Sequence, residues 1–277
     1  MVCLKSFQNK KRKYRTYNKV WNRFAHNKQT VQTIESDLRY CSKTIRNYLD
    51  AYKQKPIILI PCHIMVIMDC VYFKRVCCYL VIRDWYKKEN IYFKRIPYET
   101  IDDYVSAINH LESKGFIIDG IVVDGRKGVF EALSSRYPIQ MCQFHQKQIV
   151  RRYITNRPQT SVGIELKEVV KELSNCDRPW FETLLNVWEF KYGNFIKERT
   201  VNPITKRWFY THKRLRSAYR SLRKNLPYLF TYQTVKGMPN TTNSLDGFFA
   251  HLKDAIRIHR RLKLHRRTKL IEYLIVS

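Results

Sequence analysis

Two apolar runs, "HIMVIMD" at 63–69 and "FIIDGIVVD" at 116–124, constrain this chain most, because each looks buried and each stops at an aspartate. Short runs rich in β-branched residues read as strands. An aspartate just past such a run stands at the carboxyl end of a strand, where α/β sheets tend to place ligand sites. Neighbouring runs extend the pattern: "PIILI" at 56–60, "VCCYLVIRDWY" at 76–86 and "NIYFKRI" at 90–96. An amphipathic helical segment follows, "TIDDYVSAINHLESKG", with Gly115 as its stop signal. After the second aspartate, "VFEALSSRYP" reads as a short helix and "IQMCQF" as another strand. Three strands, helix, strand, helix, strand predict an α/β fold with a mixed sheet covered by helices. Beyond His145 the strand signal vanishes. Residues 146–235 read as helical, and 244–276 as a basic helical stretch.

The charge says what such a fold would meet. The 277 residues carry 52 Lys+Arg against 23 Asp+Glu, a formal net charge of +29, which implies a polyanionic partner. The excess is uneven: 13 basic and 3 acidic residues in 1–54, 20 and 4 in 191–277, but 19 and 16 in 55–190. Basic flanks around a near-neutral centre suit a core domain with nucleic-acid-gripping ends. The opening stretch, "KSFQNKKRKYR", reads as a charge run draped on phosphate. Then Val31, Ile34 and Leu38 repeat at helical spacing, and Ser42 is placed to cap a second helix with Ile45, Tyr48 and Leu49 on one face. This is a helix-turn-helix pattern, with Lys43, Thr44 and Arg46 near the start of the reading helix; a helical hairpin used only for packing fits it equally. No run approaches a membrane span, the amino end lacks an apolar signal segment, and eight scattered cysteines suit a reducing compartment. A cytoplasmic, nucleoid-associated protein is the expectation.

Asp69 and Asp124 are each explained by a turn or a cap, but two divalent ions need several carboxylates converging from different elements. Asp246, in "NTTNSLDGFFAHLK", is a third candidate in the first turn of a cationic helix. It is read either as an acid favoured by the helix dipole, with Asn243 or Ser244 as cap, or as the ligand completing the set. Hard oxygen ligands favour Mg²⁺ or Mn²⁺, and carboxylates more than about 10 Å apart would share no such site. Asp119 starts its strand, at the wrong end, and a hairpin turn explains Asp84. Cys142-x-x-His145 is half of a zinc site with no second pair at structural spacing, and Cys62-His63 does not complete it. A buried cysteine beside a hydrogen-bonded histidine is the plain reading.

Taken in order, "MDCVYFKR", "VVDGRKGV", "QMCQFHQKQ" and "TTNSLDGFFAHLK" followed by "RIHRRLKLHRR" resemble the DDE/D transposases of bacterial insertion sequences, in the Mutator-like group, over roughly residues 28–277. The resemblance implies a ribonuclease H-like catalytic domain over 55–277, after a basic arm and helix-turn-helix over 1–54. An all-helical insertion, approximately 147–239, would fill part of the 121 residues between Asp124 and Asp246. It implies Asp69, Asp124 and Asp246 as catalytic metal ligands, two Mg²⁺ or Mn²⁺ ions, and Cys142 and His145 near the catalytic centre, neither assigned to zinc. Lys253, Arg257, Arg260 and Arg261 would hold DNA beside Lys43, Thr44 and Arg46. The implied partners are duplex DNA, as terminal inverted repeats and target, and further copies of the chain. The implied activity is cleavage at the element's ends followed by strand transfer. Two departures stand out. The third acid is commonly Glu in that group, one methylene longer than Asp246. Relatives can also carry a cysteine zinc ribbon before the helix-turn-helix, where this chain has only Cys3; the expectation is a chain that begins inside that module. An inert, transposase-derived DNA-binding protein is the alternative, and a ribonuclease a third reading that the helix-turn-helix and long insertion disfavour.

Overall fold

The computed structural model describes residues 10–54, 58–73, 77–126 and 128–276. Two compact units divide the chain. Residues 61–72 and 77–245 form the larger; the smaller takes the amino-terminal helices, Phe73 and the chain from 246 onward. The boundary at 245/246 falls inside the first turn of one continuous helix.

The chain starts with helices α1 (Lys10–Ala25), α2 (Val31–Leu38) and α3 (Ser42–Ala51). The expected phosphate-draped arm is therefore helical from Lys10; its residues 5–9, like Cys3, lie outside the described residues. The reason is the second half of α1, where Val20, Trp21, Phe24 and Ala25 are buried and give an otherwise cationic segment one apolar face. Thr30 caps α2 by accepting the Thr33 N–H at 3.2 Å. In α3 the cap position belongs to Cys41, one residue before the expected Ser42. Ser42 instead gives its N–H and hydroxyl to Glu35 of α2, at 3.0 and 2.5 Å, so one carboxylate fixes the turn between the two helices.

The larger unit holds strands β1 (His63–Phe73), β2 (Cys77–Asp84), β3 (Glu89–Ile96), β4 (Ile117–Val123) and β5 (Ile139–Met141), in spatial order β3-β2-β1-β4-β5. β4 runs parallel to both β1 and β5, while β2 and β3 form an antiparallel hairpin, so the sheet is mixed. Residues 64–69 of β1 are all buried, as expected of a central strand covered on both faces. The run "PIILI" makes no strand where it is described: Ile58 and Ile60 are exposed, and Pro56 and Ile57 lie outside the described residues. α4 (Ile101–Ser113) is capped by Thr100 and stops at Gly115, whose φ of +87° suits a residue without a Cβ. α5 (Val129–Leu133) precedes β5, which is shorter than the expected "IQMCQF". Cys142 already accepts the Gln146 N–H through its carbonyl at 3.0 Å, and so becomes the first cap of α6 (Gln143–Ile154).

α7 (Ser161–Glu172), α8 (Arg178–Tyr192) and α9 (Lys213–Leu229) follow. This region is not all-helical, as the resemblance implied: β6 (Arg199–Val201) and β7 (Trp208–Tyr210) pair as a small antiparallel hairpin. Thr200 and Val201 face Phe209 and Trp208 across it, β-branched against aromatic, which favours strands. Asn202 closes the turn by accepting the N–H groups of Ile204 and Thr205, both at 2.9 Å. The chain ends with α10 (Asn243–Ile258) and α11 (Leu264–Ile275). In the smaller unit α11 is tied to α3: Arg266 reaches both Asp50 oxygens, at 2.7 and 2.6 Å, and Lys269 donates to the free carbonyls of Leu49 and Asp50 at 2.7 and 2.9 Å. No helix among the described residues is long and apolar enough to cross a membrane.

Candidate metal and phosphate site

The parallel register carries two of the expected acids to one place. Met68 is paired with Val123 at the end of the β1–β4 ladder, so Asp69 and Asp124 are the next residues on neighbouring strands. Asp69 does not end its strand, as the sequence suggested; β1 continues to Phe73, and only its pairing with β4 stops. It is buried, 9% exposed, and its Oδ1 accepts the Cys70 N–H at 2.7 Å. Asp124 follows β4 and accepts the Arg126 N–H at 3.2 Å, the turn expected of an Asp-Gly step. Burial pushes the Asp124 carboxyl above its usual range, the charge of Glu99 adds to this, and His145 and Arg126 oppose it.

The start of α6 brings His145 to the same end of the sheet. Cys142 donates its N–H to Val123 O at 2.9 Å, which hangs the helix on the last residue before Asp124. The Cys142 thiol is itself an acceptor, taking the N–H and hydroxyl of Thr242 at 3.3 and 3.4 Å. Thr242 Oγ1 also lies 3.4 Å from His145 Nδ1. Burial opposes ionisation of Cys142, but hydrogen bonds from His145 and Thr242 outweigh it and hold the thiol below its usual range. Next to this, Asn240 and Gln143 exchange a backbone and a side-chain bond, at 2.9 and 3.0 Å. "NTT" thus latches the entry of α10 onto the start of α6.

Asp246 is one helical turn beyond Thr242, in the first turn of α10. Asp69, His145 and Asp246 each offer one ligand atom, and these atoms all lie within 4.8 Å of one another. Asp69 and Asp246 were expected together; the third member is the imidazole of His145, and Asp124, the other expected acid, is not one of the three. The donor set, two carboxylates and one imidazole, fits a divalent cation that accepts oxygen and nitrogen, and it lacks the thiolates that soft metals prefer.

Glu99 is the functional candidate that sequence reasoning missed. It sits before α4, 9% exposed at its side chain, and accepts from Tyr72 at 2.6 Å and Tyr104 at 2.7 Å, with Arg126 3.6 Å away. Arg126 also donates to the Glu99 carbonyl. In "PYETIDD" it looks like any acid at a helix start, and only the fold brings its charge onto Asp124. A cleft of about 580 Å³ opens beside Gly125 and is lined by Arg152, Arg220 and Lys224, cations of α6 and α9 suited to phosphate. The discounted acids stand elsewhere. Asp119, near the start of β4, binds His63 at 2.8 Å and Tyr86 at 3.2 Å, and Asp84 accepts the Tyr86 N–H at 3.0 Å in the β2–β3 turn. Of the expected DNA contacts, Lys43, Arg46, Lys253, Arg260 and Arg261 are exposed; Thr44 is half-buried against Cys41 at 3.2 Å, and Arg257 pairs with Asp254 at 3.7 Å.

No model of a known protein family matches this chain, and no curated protein matches it.

Proposed function

We propose that this protein is a DNA transposase of the DDE/D kind, which cuts phosphodiester bonds with a divalent cation held by Asp69, His145 and Asp246, with Asp124 beside them. The observation that carries this is the convergence of two carboxylates and an imidazole within 4.8 Å in a chain whose formal net charge is +29. A protein that only bound DNA would gain nothing from gathering acids there, since each weakens its hold on phosphate. A mixed sheet with Asp69 and Asp124 at one end of neighbouring parallel strands supports the ribonuclease H-like reading. Mg²⁺ or Mn²⁺, when bound, neutralises charge on the scissile phosphate and acidifies the attacking hydroxyl, and two such ions are expected from the resemblance. The chain's own residues do the rest. Thr242 and Cys142 fix the His145 ring and the first turn of α10. Arg152, Arg220 and Lys224 offer phosphate contacts beside Gly125. In the first displacement water attacks phosphorus and the P–O bond to the 3′ oxygen breaks, freeing a 3′-hydroxyl. In the second that hydroxyl attacks a target phosphodiester, so one bond forms for each one broken.

The test is cleavage of duplex DNA carrying the sequences that flank the gene, with Mg²⁺ or Mn²⁺, comparing wild type with Asp69→Asn and Asp246→Asn. Metal-dependent nicking that falls at least about 10³-fold in either variant, with DNA binding retained, is the expected result. Binding without cleavage in all three proteins would establish the inert DNA-binding protein instead.

A further inference from the structure

The smaller unit carries a groove of about 690 Å³ whose walls come from opposite ends of the sequence. Lys43 and Arg46 of α3 line one side, and Arg260, Arg261 and Lys263 of the turn between α10 and α11 line the other. All five are exposed, and among the described residues no acid lines the groove. Two details mark the turn as built. Arg261 holds a φ of +68°, a left-handed conformation that L side chains rarely adopt, where glycine would be the unstrained choice. His259, also in the lining, is 6% exposed and packs 4.0 Å from the Phe24 ring, and its buried Nε2 has no hydrogen-bond partner.

We infer that this groove seats a single stretch of DNA duplex, gripped by α3 and the α10–α11 turn together. The charge selects a polyanion, since five exposed cations without an acid among them would repel one another in the free protein. A duplex fits because α3 follows α2 after a three-residue turn, the order a helix-turn-helix requires, and presents its first half to the same groove. Asn47 and Gln32, which also line it, add side-chain amides able to read base edges. The inference rests on the reading of this chain as a DNA-acting protein, but not on its catalysis. The two cationic segments, at opposite ends of the chain, therefore act as one reading head.

The experiment measures binding of a fluorescein-labelled duplex bearing the gene's flanking sequence to the full chain across a KCl series. Lys43→Ala/Arg46→Ala is set beside Arg260→Ala/Arg261→Ala, with circular dichroism as the folding control. Each double variant is expected to lose roughly tenfold in affinity near 0.15 M salt and to flatten the salt dependence by about two units of slope. Arg260→Lys/Arg261→Lys, which keeps the charge, is expected to retain that slope. Phosphate-ethylation interference then locates the contacts. Positions relieved by the two alanine pairs are expected within one helical turn of each other. Wild-type affinity and slope in the Arg260/Arg261 variant would overturn the inference, as would relieved positions more than a turn apart or preferential binding of single-stranded RNA. Asp246→Asn separates the two readings: loss of cleavage with this binding intact leaves the groove standing, whereas wild-type binding by the Arg260/Arg261 variant overturns the groove without bearing on the Asp246→Asn cleavage result.

Discussion

Thr242 touches the proposed metal site through Cys142 and His145, so its hydroxyl and its volume can be separated. Thr242→Val keeps the shape and removes the bonds to Cys142 Sγ and His145 Nδ1; it is expected to cost about 1 kcal/mol of stability and 10- to 100-fold in cleavage rate. Thr242→Ser, which keeps the hydroxyl, is expected to recover most of the rate. Thermal melts and single-turnover cleavage read the two effects apart, and equal rates in Val and Ser would assign Thr242 to packing alone. Gly128 is a second sensitive position. Its φ is +86°, and a Cβ there would run into the Ile101 side chain, so Gly128→Ala is expected to lower stability by roughly 1–3 kcal/mol by chemical denaturation. At this scale the sequence singled out two of the three residues that converge, without showing all their neighbours. Asp69 and Asp246 stood out as acids among apolar or cationic surroundings. His145 lay in a motif whose plain reading was a hydrogen-bonded core histidine. Glu99 had no signal at all, because its importance comes from Tyr72, Tyr104 and Asp124, which lie on β1, on α4 and just past β4.

Among the elements, the strands and the amino-terminal helix pair were legible because apolar periodicity governs them. Element ends were less so, since they depend on single hydrogen bonds. β5 stops at Met141 because the carbonyl of Cys142 turns into α6, and α3 begins after Cys41 because Glu35 claims Ser42. The β6–β7 hairpin escaped notice because its three-residue strands are too short for a period to show. The tie between α3 and α11 has a pH signature. Hydrogen bonding from Arg266 holds the Asp50 carboxyl below its ordinary range, outweighing partial burial. A carboxyl with a depressed folded-state pKa stabilises fully above its unfolded value, about 4, and loses that contribution as pH falls through the folded value. Asp50 is partly exposed, so the pair is worth only about 0.5–1 kcal/mol. Asp50→Asn is therefore expected to melt slightly lower than wild type at pH 7, with the difference closing toward pH 3. A constant gap across that range would mean that the bond geometry, rather than the charge, matters.

For the whole molecule, charge is the property that composition reports most directly and that explains least by itself. A formal net charge of +29 makes a polyanionic partner the expectation, yet it cannot say which cations share a face. Lys43 and Arg260 become neighbours of one groove only once the amino- and carboxyl-terminal helices pack as one unit. The acids follow the opposite logic: few in number, they matter by converging. A cation that binds only the folded state stabilises it by mass action. With Mg²⁺ at about 100 times its dissociation constant, the expected gain is about 2.7 kcal/mol, readable as a higher melting temperature that EDTA reverses. The most direct measurement of the central claim is Mn²⁺ binding by isothermal calorimetry to wild type and to Asp69→Asn, His145→Ala and Asp246→Asn, each checked for folding. Binding by the wild-type protein that is lost or weakened at least tenfold in all three variants is the predicted result. Undiminished Mn²⁺ binding in the three variants, or none in the wild type, would contradict it.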